Sequence, residues 1–275
     1  MENKKNNANS FDQSQPASAL GKTDAMADTE HAKPFKLAKR LKCLFTDPAR
    51  LMKNLKVHPV FGPPALVFIL VAVISSVFFM GKLSELQARM LSEETMRIYG
   101  ASVMAETQFQ AEGPARVILI VSQFIGVAAI PYVMGFVLAL PLLIIGKIAG
   151  GKAKLSHYYS LSLHAYALTM LVGLISTAGF IMTDSLTDIL SLGLLDPTGG
   201  TASVPHAVLQ AVSITNLWQC GLIYFGMKEI NGFKPVKAAV AAAVIFVLII
   251  ISAAGGAVVT KTMIDITHNL GGAGL

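Results

Sequence analysis

The sequence predicts an all-α membrane protein, a five-transmembrane-helix bundle with its N-terminus inside and its C-terminus outside. Three observations carry this. Hydrophobic residues make up 53% of the 275 residues and charged ones only 14%, with a mean hydropathy of +0.60, a balance typical of chains whose apolar surface faces lipid. Five apolar stretches are each long enough to cross about 30 Å of hydrocarbon, for which a helix needs about 20 residues. The basic residues are also unevenly placed: eleven of the twenty-two Lys and Arg residues precede Pro59.

The chain opens on a polar segment, 1–34, rich in Asn, Ser, Gln, Asp and Lys. It has no apolar periodicity to offset the entropy of ordering it, and is expected to be a disordered cytoplasmic tail. It also lacks the apolar stretch of a secretory signal peptide, so the first spanning helix is expected to direct insertion. Residues 35–58 change character. Phe35, Ala38, Leu41, Leu44 and Phe45 recur at helical spacing, with Lys36, Lys39, Arg40 and Lys42 between them. Asp47 and Pro48 read as an N-cap and a first helical residue, restarting a helix that carries Arg50, Lys53 and Lys56. Such a basic amphipathic juxtamembrane segment is expected to lie on anionic inner-leaflet lipids, with those seven cations as the surface-binding residues. The asymmetry favours a membrane surface and gives no basis for nucleic-acid binding.

The membrane domain, 59–260, should hold spans at about 61–80, 117–145, 159–181, 205–225 and 236–259, followed by a short outside tail, 261–275. The second stretch is long for one span and short for two, so it reads as one helix, tilted or bent at Pro131 and Pro141. Loop charge supports that count. With the N-terminus inside, seventeen Lys and Arg residues fall on the cytoplasmic side, and Lys82, Arg89, Arg97, Arg116 and Lys261 fall outside, as the positive-inside bias requires. Between Gly81 and Ala115 the first helix is expected to extend beyond the membrane before Gly113 and Pro114 end it. The turn-rich run from Leu195 to Ser203 is expected to be mobile.

Between the flanks of the five stretches no Asp, Glu, Lys or Arg occurs, Lys237 standing at the edge of the fifth, which disfavours pumping through buried carboxylates. No GxSxG, HExxH or phosphate-loop motif occurs, Cys43 and Cys220 form no metal-ligand pattern, and His157 and His164 lie about 10 Å apart along a helix, too far to share a metal. No catalytic, cofactor-binding or metal site is therefore assigned. The fourth stretch is the most polar. His206, Gln210, Ser213, Asn216 and Cys220 follow steps of four, three, three and four, which places them on one helix face. That stripe is expected to point into the bundle, as a helix interface held by hydrogen bonds or as a ligand groove. Gly173 and Thr177, with Ala239, Ala243, Ala253, Gly256 and Ala257, supply small residues for close helix approach. The tyrosines near 158–166 read as interfacial anchors.

The segment LFTDPARLMKNLKVHP (Leu44 to Pro59), the proline-led first span and GGKAKLSHYYSLSLHAYALTMLVG (Gly150 to Gly173) together resemble the bacterial members of the Yip1 family, including the aromatic-Thr-Asp-Pro lead-in. The resemblance covers about Leu44 to Val259. It implies a five-helix bundle with a cytosolic N-terminus, no enzymatic activity, and a multi-pass location in the plasma or inner membrane. Eukaryotic relatives bind Rab-type GTPases, but their DLYGP signature is missing here and the YG at Tyr99 lies in an outside loop, so no GTPase partner is carried over. Some bacterial relatives are accessory subunits beside exporters. The expected function is a non-enzymatic membrane scaffold or accessory protein, assisting a transporter or trafficking complex, with a membrane-protein partner or a second copy of itself. The alternative is a small-solute or lipid carrier that holds its cargo between spans three to five.

Overall fold

The computed structural model of the chain describes residues 33–83, 85, 86, 89, 114–184, 187–196, 200 and 202–272. The expected tail up to residue 32, most of the first outside connection and parts of the turn-rich run lie outside the described residues. Eight α-helices follow in order among the described residues: α1 (Leu37–Thr46), α2 (Pro48–Val57), α3 (Gly62–Ile74), α4 (Pro114–Ile148), α5 (Leu155–Thr183), α6 (Val204–Ala211), α7 (Ile214–Asn231) and α8 (Pro235–Gly272). A π turn, Ser75–Phe79, continues α3, and residues 80–83 remain helical. Residues 85, 86 and 89 are helical too, consistent with the expected extension of the first helix.

Local chemistry sets the ends. Asp47 caps α2 by accepting from the Arg50 N–H at 3.0 Å, with Pro48 in the first turn, as the sequence suggested. Gly150, at φ +84°, closes α4. The Gly150 and Gly151 N–H groups donate to the Lys147 and Gly146 carbonyls, the paired bonds of a Schellman end, for which glycine supplies the left-handed residue. A side chain at Gly146 or Gly151 would collide with Tyr158 or Asn231. This bareness lets Tyr158, fully buried, donate its hydroxyl proton to Asn231 Oδ1 at 2.8 Å. Tyr158 is thus a core residue and not the interfacial anchor expected of it.

Helices α3, α4 and α5 pack on one another, and α5 also packs on α7. Helix α7 in turn lies against α2 and α8. Four helical stretches among the described residues are long and apolar enough to cross a membrane: Gly62–Leu83, Phe124–Ile148, Leu155–Thr183 and Pro235–Ile266. Both Pro131 and Pro141 lie within the single helix α4. Helix α8 runs well past the end expected at Val259.

The remaining expected span, 205–225, is not one helix. It breaks after Ala211, where Val212 and Ser213 leave helical geometry and Ser213 takes an extended φ of −120° and ψ of 156°. The reason is local: Ser213 accepts from the Asn216 N–H, and the Asn216 side chain donates to the Ala211 carbonyl. Short polar side chains bonded in this way compete with the helix ladder. The basic segment also differs from expectation. The apolar faces of α1 and α2 are buried in protein and not laid on lipid, with Leu51, Met52 and Leu55 at zero exposure.

Polar and apolar groups are arranged as lipid demands. Phe78, Ile118, Val133 and Val236 are each more than 60% exposed, while Arg40, Asn54, Ser160 and His164 are buried. A buried polar group is tolerated only when bonded. Close packing inside gives a direct check. A Cβ at Gly226 would strike the Leu161 side chain, whereas Gly221 has open space around it. Gly226→Val should lower stability by about 1–3 kcal/mol through overpacking, read by thermal unfolding in detergent, and Gly221→Ala should leave it near the wild-type value.

Candidate functional site

The densest buried polar cluster lies where the basic hairpin meets α5. Arg40 is 1% exposed. Its Nε donates to the Phe35 carbonyl at 2.7 Å, its Nη2 to Asn54 Oδ1 at 3.3 Å, and its Nη1 lies 3.3 Å from His164 Nε2. His164 Nδ1 is 2.7 Å from the Ser160 carbonyl. A carbonyl only accepts, so Nδ1 carries the proton and Nε2 offers its lone pair to the guanidinium. The histidine is therefore neutral, and Arg40 is held by neutral acceptors: among the described residues no carboxylate pairs with it. Burial pulls the guanidinium below its usual pKa, though such a group stays cationic at neutral pH.

Asn54 serves both sides of this cluster. Its Oδ1 also accepts from the Phe35 N–H at 3.1 Å, and its Nδ2 donates to the Lys33 carbonyl at 2.9 Å. Two more contacts continue the seam along α5. Ser160 donates to the Val60 carbonyl and accepts from the Val60 N–H. His157 Nε2 lies 3.2 Å from the Lys56 carbonyl while its Nδ1 accepts from the Lys154 N–H. Positions 157, 160 and 164 share one helix face, so one polar edge of α5 holds the whole segment from Phe35 to Val60. From α7, Trp218 adds an indole bond to the Leu44 carbonyl at 3.2 Å.

The expected surface-binding residues therefore divide. Lys36, Lys42, Lys53 and Lys56 are exposed, and Lys39 and Arg50 are half-buried, Lys39 lying 4.2 Å from the Phe35 ring centre. Arg40 is the correction, for it points inward. Its spacing showed this: Cys43 and Leu44, three and four residues on, are both buried and lie on its face.

The five residues of the polar stripe do not lie on one helix. His206 and Gln210 are on α6, Ser213 is the cap between helices, and Asn216 and Cys220 are on α7. His206, 5% exposed, places Nδ1 at 2.9 Å from the Asp196 carbonyl. The loop 187–196 fills the break. Ile214 N–H donates to the Leu190 carbonyl and Leu192 N–H to the Val212 carbonyl, forming an antiparallel bridge between Ser191 and Ser213. Asp188 anchors that loop by accepting from Ser176 of α5 and from the Leu190 N–H, each at 2.9 Å. The Ser213-x-x-Asn216 spacing was the sequence signal for this break. Among the described residues no group of three His, Cys, Asp or Glu side chains is placed to hold a metal ion.

Losing Arg40 would strand the Phe35 carbonyl, and bonds to a charged donor contribute about 1.5–3 kcal/mol each. Arg40→Ala should therefore raise the population with the hairpin undocked about tenfold or more. Cys43 reports it, because burial, and then the charge of Asp47, push its thiol above the usual pKa and slow its reaction. Maleimide labelling of Cys43 should accelerate in Arg40→Ala and stay slow in Lys42→Ala.

Neither a curated protein nor a solved structure matches the chain. A family model described as the Yip1 domain matches residues 42–256, a range that includes the capped α2, the seam along α5, the broken fourth stretch and most of α8. Together with the apolar outer surface, that match identifies an integral membrane protein, and the chain belongs to the Yip1 family.

Proposed function

We propose that this chain is a non-enzymatic membrane scaffold or accessory protein of the plasma or inner membrane, assisting a transporter or trafficking complex. Its Lys-rich end faces the cytoplasm. It crosses the bilayer five times, the fourth crossing made by α6 and α7 in series, so that the C-terminus lies outside. A discontinuous crossing is compatible with lipid because the loop 187–196 takes up the backbone groups that the break frees.

The observation that carries this reading is how the stripe residues are used. His206, Ser213 and Asn216 bond to the chain itself, which supports packing over cargo binding. A carrier would line a cavity with His206, Gln210 and Asn216, and neither of the two described cavities includes any of them. The outward face of α8 offers a place for a partner helix: Val244, Leu248, Ile251 and Val258 are exposed, and Gly255 and Gly256 have open space around them. Small residues of this kind let helices approach closely in lipid. On the hairpin, Lys36, Lys39, Lys42, Lys53 and Lys56 form a basic surface, each contributing about 1 kcal/mol near an anionic leaflet.

Two experiments test the proposal. Single cysteines replacing Met182 or Leu195, both strongly exposed, should react with an impermeant maleimide on intact cells, and cysteines replacing Lys42 or Lys152 should react only after the cells are opened; the reverse pattern would refute the orientation. Affinity capture from native membranes in mild detergent should recover a reproducible membrane complex with the wild type, and lose it with Gly255→Leu and Gly256→Leu together. Recovery of the wild-type chain alone would contradict the scaffold role.

A further inference from the structure

A groove of about 630 Å³ lies at the Lys-rich end of the bundle between α3, α4 and α5, within the range of about 300–1,000 Å³ of small-molecule sites. Its walls are Phe61, Tyr132, Val133, Phe136 and Tyr159. The Tyr159 ring sits 5.4 Å from that of Phe61 and 6.2 Å from that of Phe136, and Phe68 braces Tyr132 edge-on at 5.2 Å. The walls are therefore held by their own ring contacts.

The mouth is of different chemistry. Leu155 and Ser156, the first two residues of α5, line the groove, so the positive end of that helix opens there. Lys152 and Lys154 precede them and are exposed, and exposed Lys56 is drawn to the same place by the bond between its carbonyl and His157. No Asp or Glu occurs between Pro48 and Leu83 or between Pro114 and Thr183, the segments that build the groove and hold Lys56. An apolar, aromatic trough with no acid on its walls, with exposed Lys152 and Lys154 just before its edge at Leu155 and exposed Lys56 tied to His157 by its carbonyl, matches an amphiphile with an apolar chain and an anionic head.

We propose that this groove is a binding site for one anionic glycerophospholipid, an acyl chain lying along Tyr132, Phe136 and Tyr159 and the phosphate at Lys56, Lys152 and Lys154. The inference rests on reading the Lys-rich end as the side that meets an anionic leaflet. It goes beyond a general attraction of the basic hairpin, because it assigns separate residues to head and chain. Bound there, the lipid fixes the depth at which α3, α4 and α5 sit.

Native mass spectrometry of the full-length protein tests it, with equimolar phosphatidylglycerol and phosphatidylcholine of identical chains in the detergent. The wild type should retain one phosphatidylglycerol per chain in preference to phosphatidylcholine by about tenfold or more, since each lysine near an anion is worth about fivefold. Lys56→Gln, Lys152→Gln and Lys154→Gln together should bring the preference near unity while leaving total retained lipid unchanged. Val133→Trp should fill the trough and remove both lipids, with thermal unfolding confirming that the bundle is intact. Soluble glycerol phosphate at equal concentration should displace nothing. Equal retention of the two lipids by the wild type, a preference that survives the triple lysine change, or displacement by glycerol phosphate would overturn the site. A preference lost only in Lys36→Gln with Lys42→Gln would also overturn it, by placing anionic lipid on the hairpin. The scaffold reading rests on partner capture, which this assay does not touch.

Discussion

The Arg40 guanidinium is enclosed by protein and, among the described residues, held without a carboxylate. That is an expensive arrangement unless every donor finds an acceptor of good geometry. The acceptors come from the strand-like lead-in at Phe35, from Asn54 on α2 and from His164 on α5, three segments that meet only when the hairpin is docked. Once they meet, the rest of the seam has little freedom. Val60 is locked to Ser160, and Lys56 to His157, which fixes where the chain turns into the first span. The basic hairpin is thus part of the bundle's architecture, and its lysines, not Arg40, remain available to a surface.

The second departure from a simple bundle, the break between α6 and α7, obeys the same constraint. A helix that opens inside protein leaves backbone groups that must find new partners. The loop 187–196 supplies them through backbone bonds to Val212 and Ile214, and is itself pinned to α5 through Asp188 and Ser176. Gly179 lets Ile189 of that loop close against α5. At both places α5 is the common partner. Its Lys-rich half receives the hairpin and its far half receives the loop, which explains why this helix carries more buried serine and histidine than the other long helices among the described residues.

Much of this was legible in the sequence. The long apolar runs predict α3, α4, α5 and α8, the Asp47-Pro48 pair predicts the start of α2, and the length of the second run predicts that Pro131 and Pro141 share one helix. What was misread has one physical cause. Class does not fix role: composition gives Lys36, Lys39, Arg40 and Lys42 one lipid-surface role, although Arg40 shares its face with Cys43 and Leu44. Helical spacing alone makes one stripe of His206, Gln210, Ser213, Asn216 and Cys220, although Ser213 and Asn216 are the pair that ends one helix and starts the next. Caps and faces use the same side chains, and only the local bonds distinguish them. The aromatic groove leaves no local pattern in the sequence because its walls come from three separate elements.

Hydrogen–deuterium exchange of the full-length protein in lipid nanodiscs tests the central claim most directly, since it reads the docking of α1 and α2 without altering a residue. The account predicts that the amides of Leu51 to Leu55 exchange as slowly as those of Leu161 to Leu168 on α5, because both open only when the seam opens. Exchange of the hairpin at the rate of an exposed helix, with α5 still protected, would show a segment resting free on the leaflet and would contradict it.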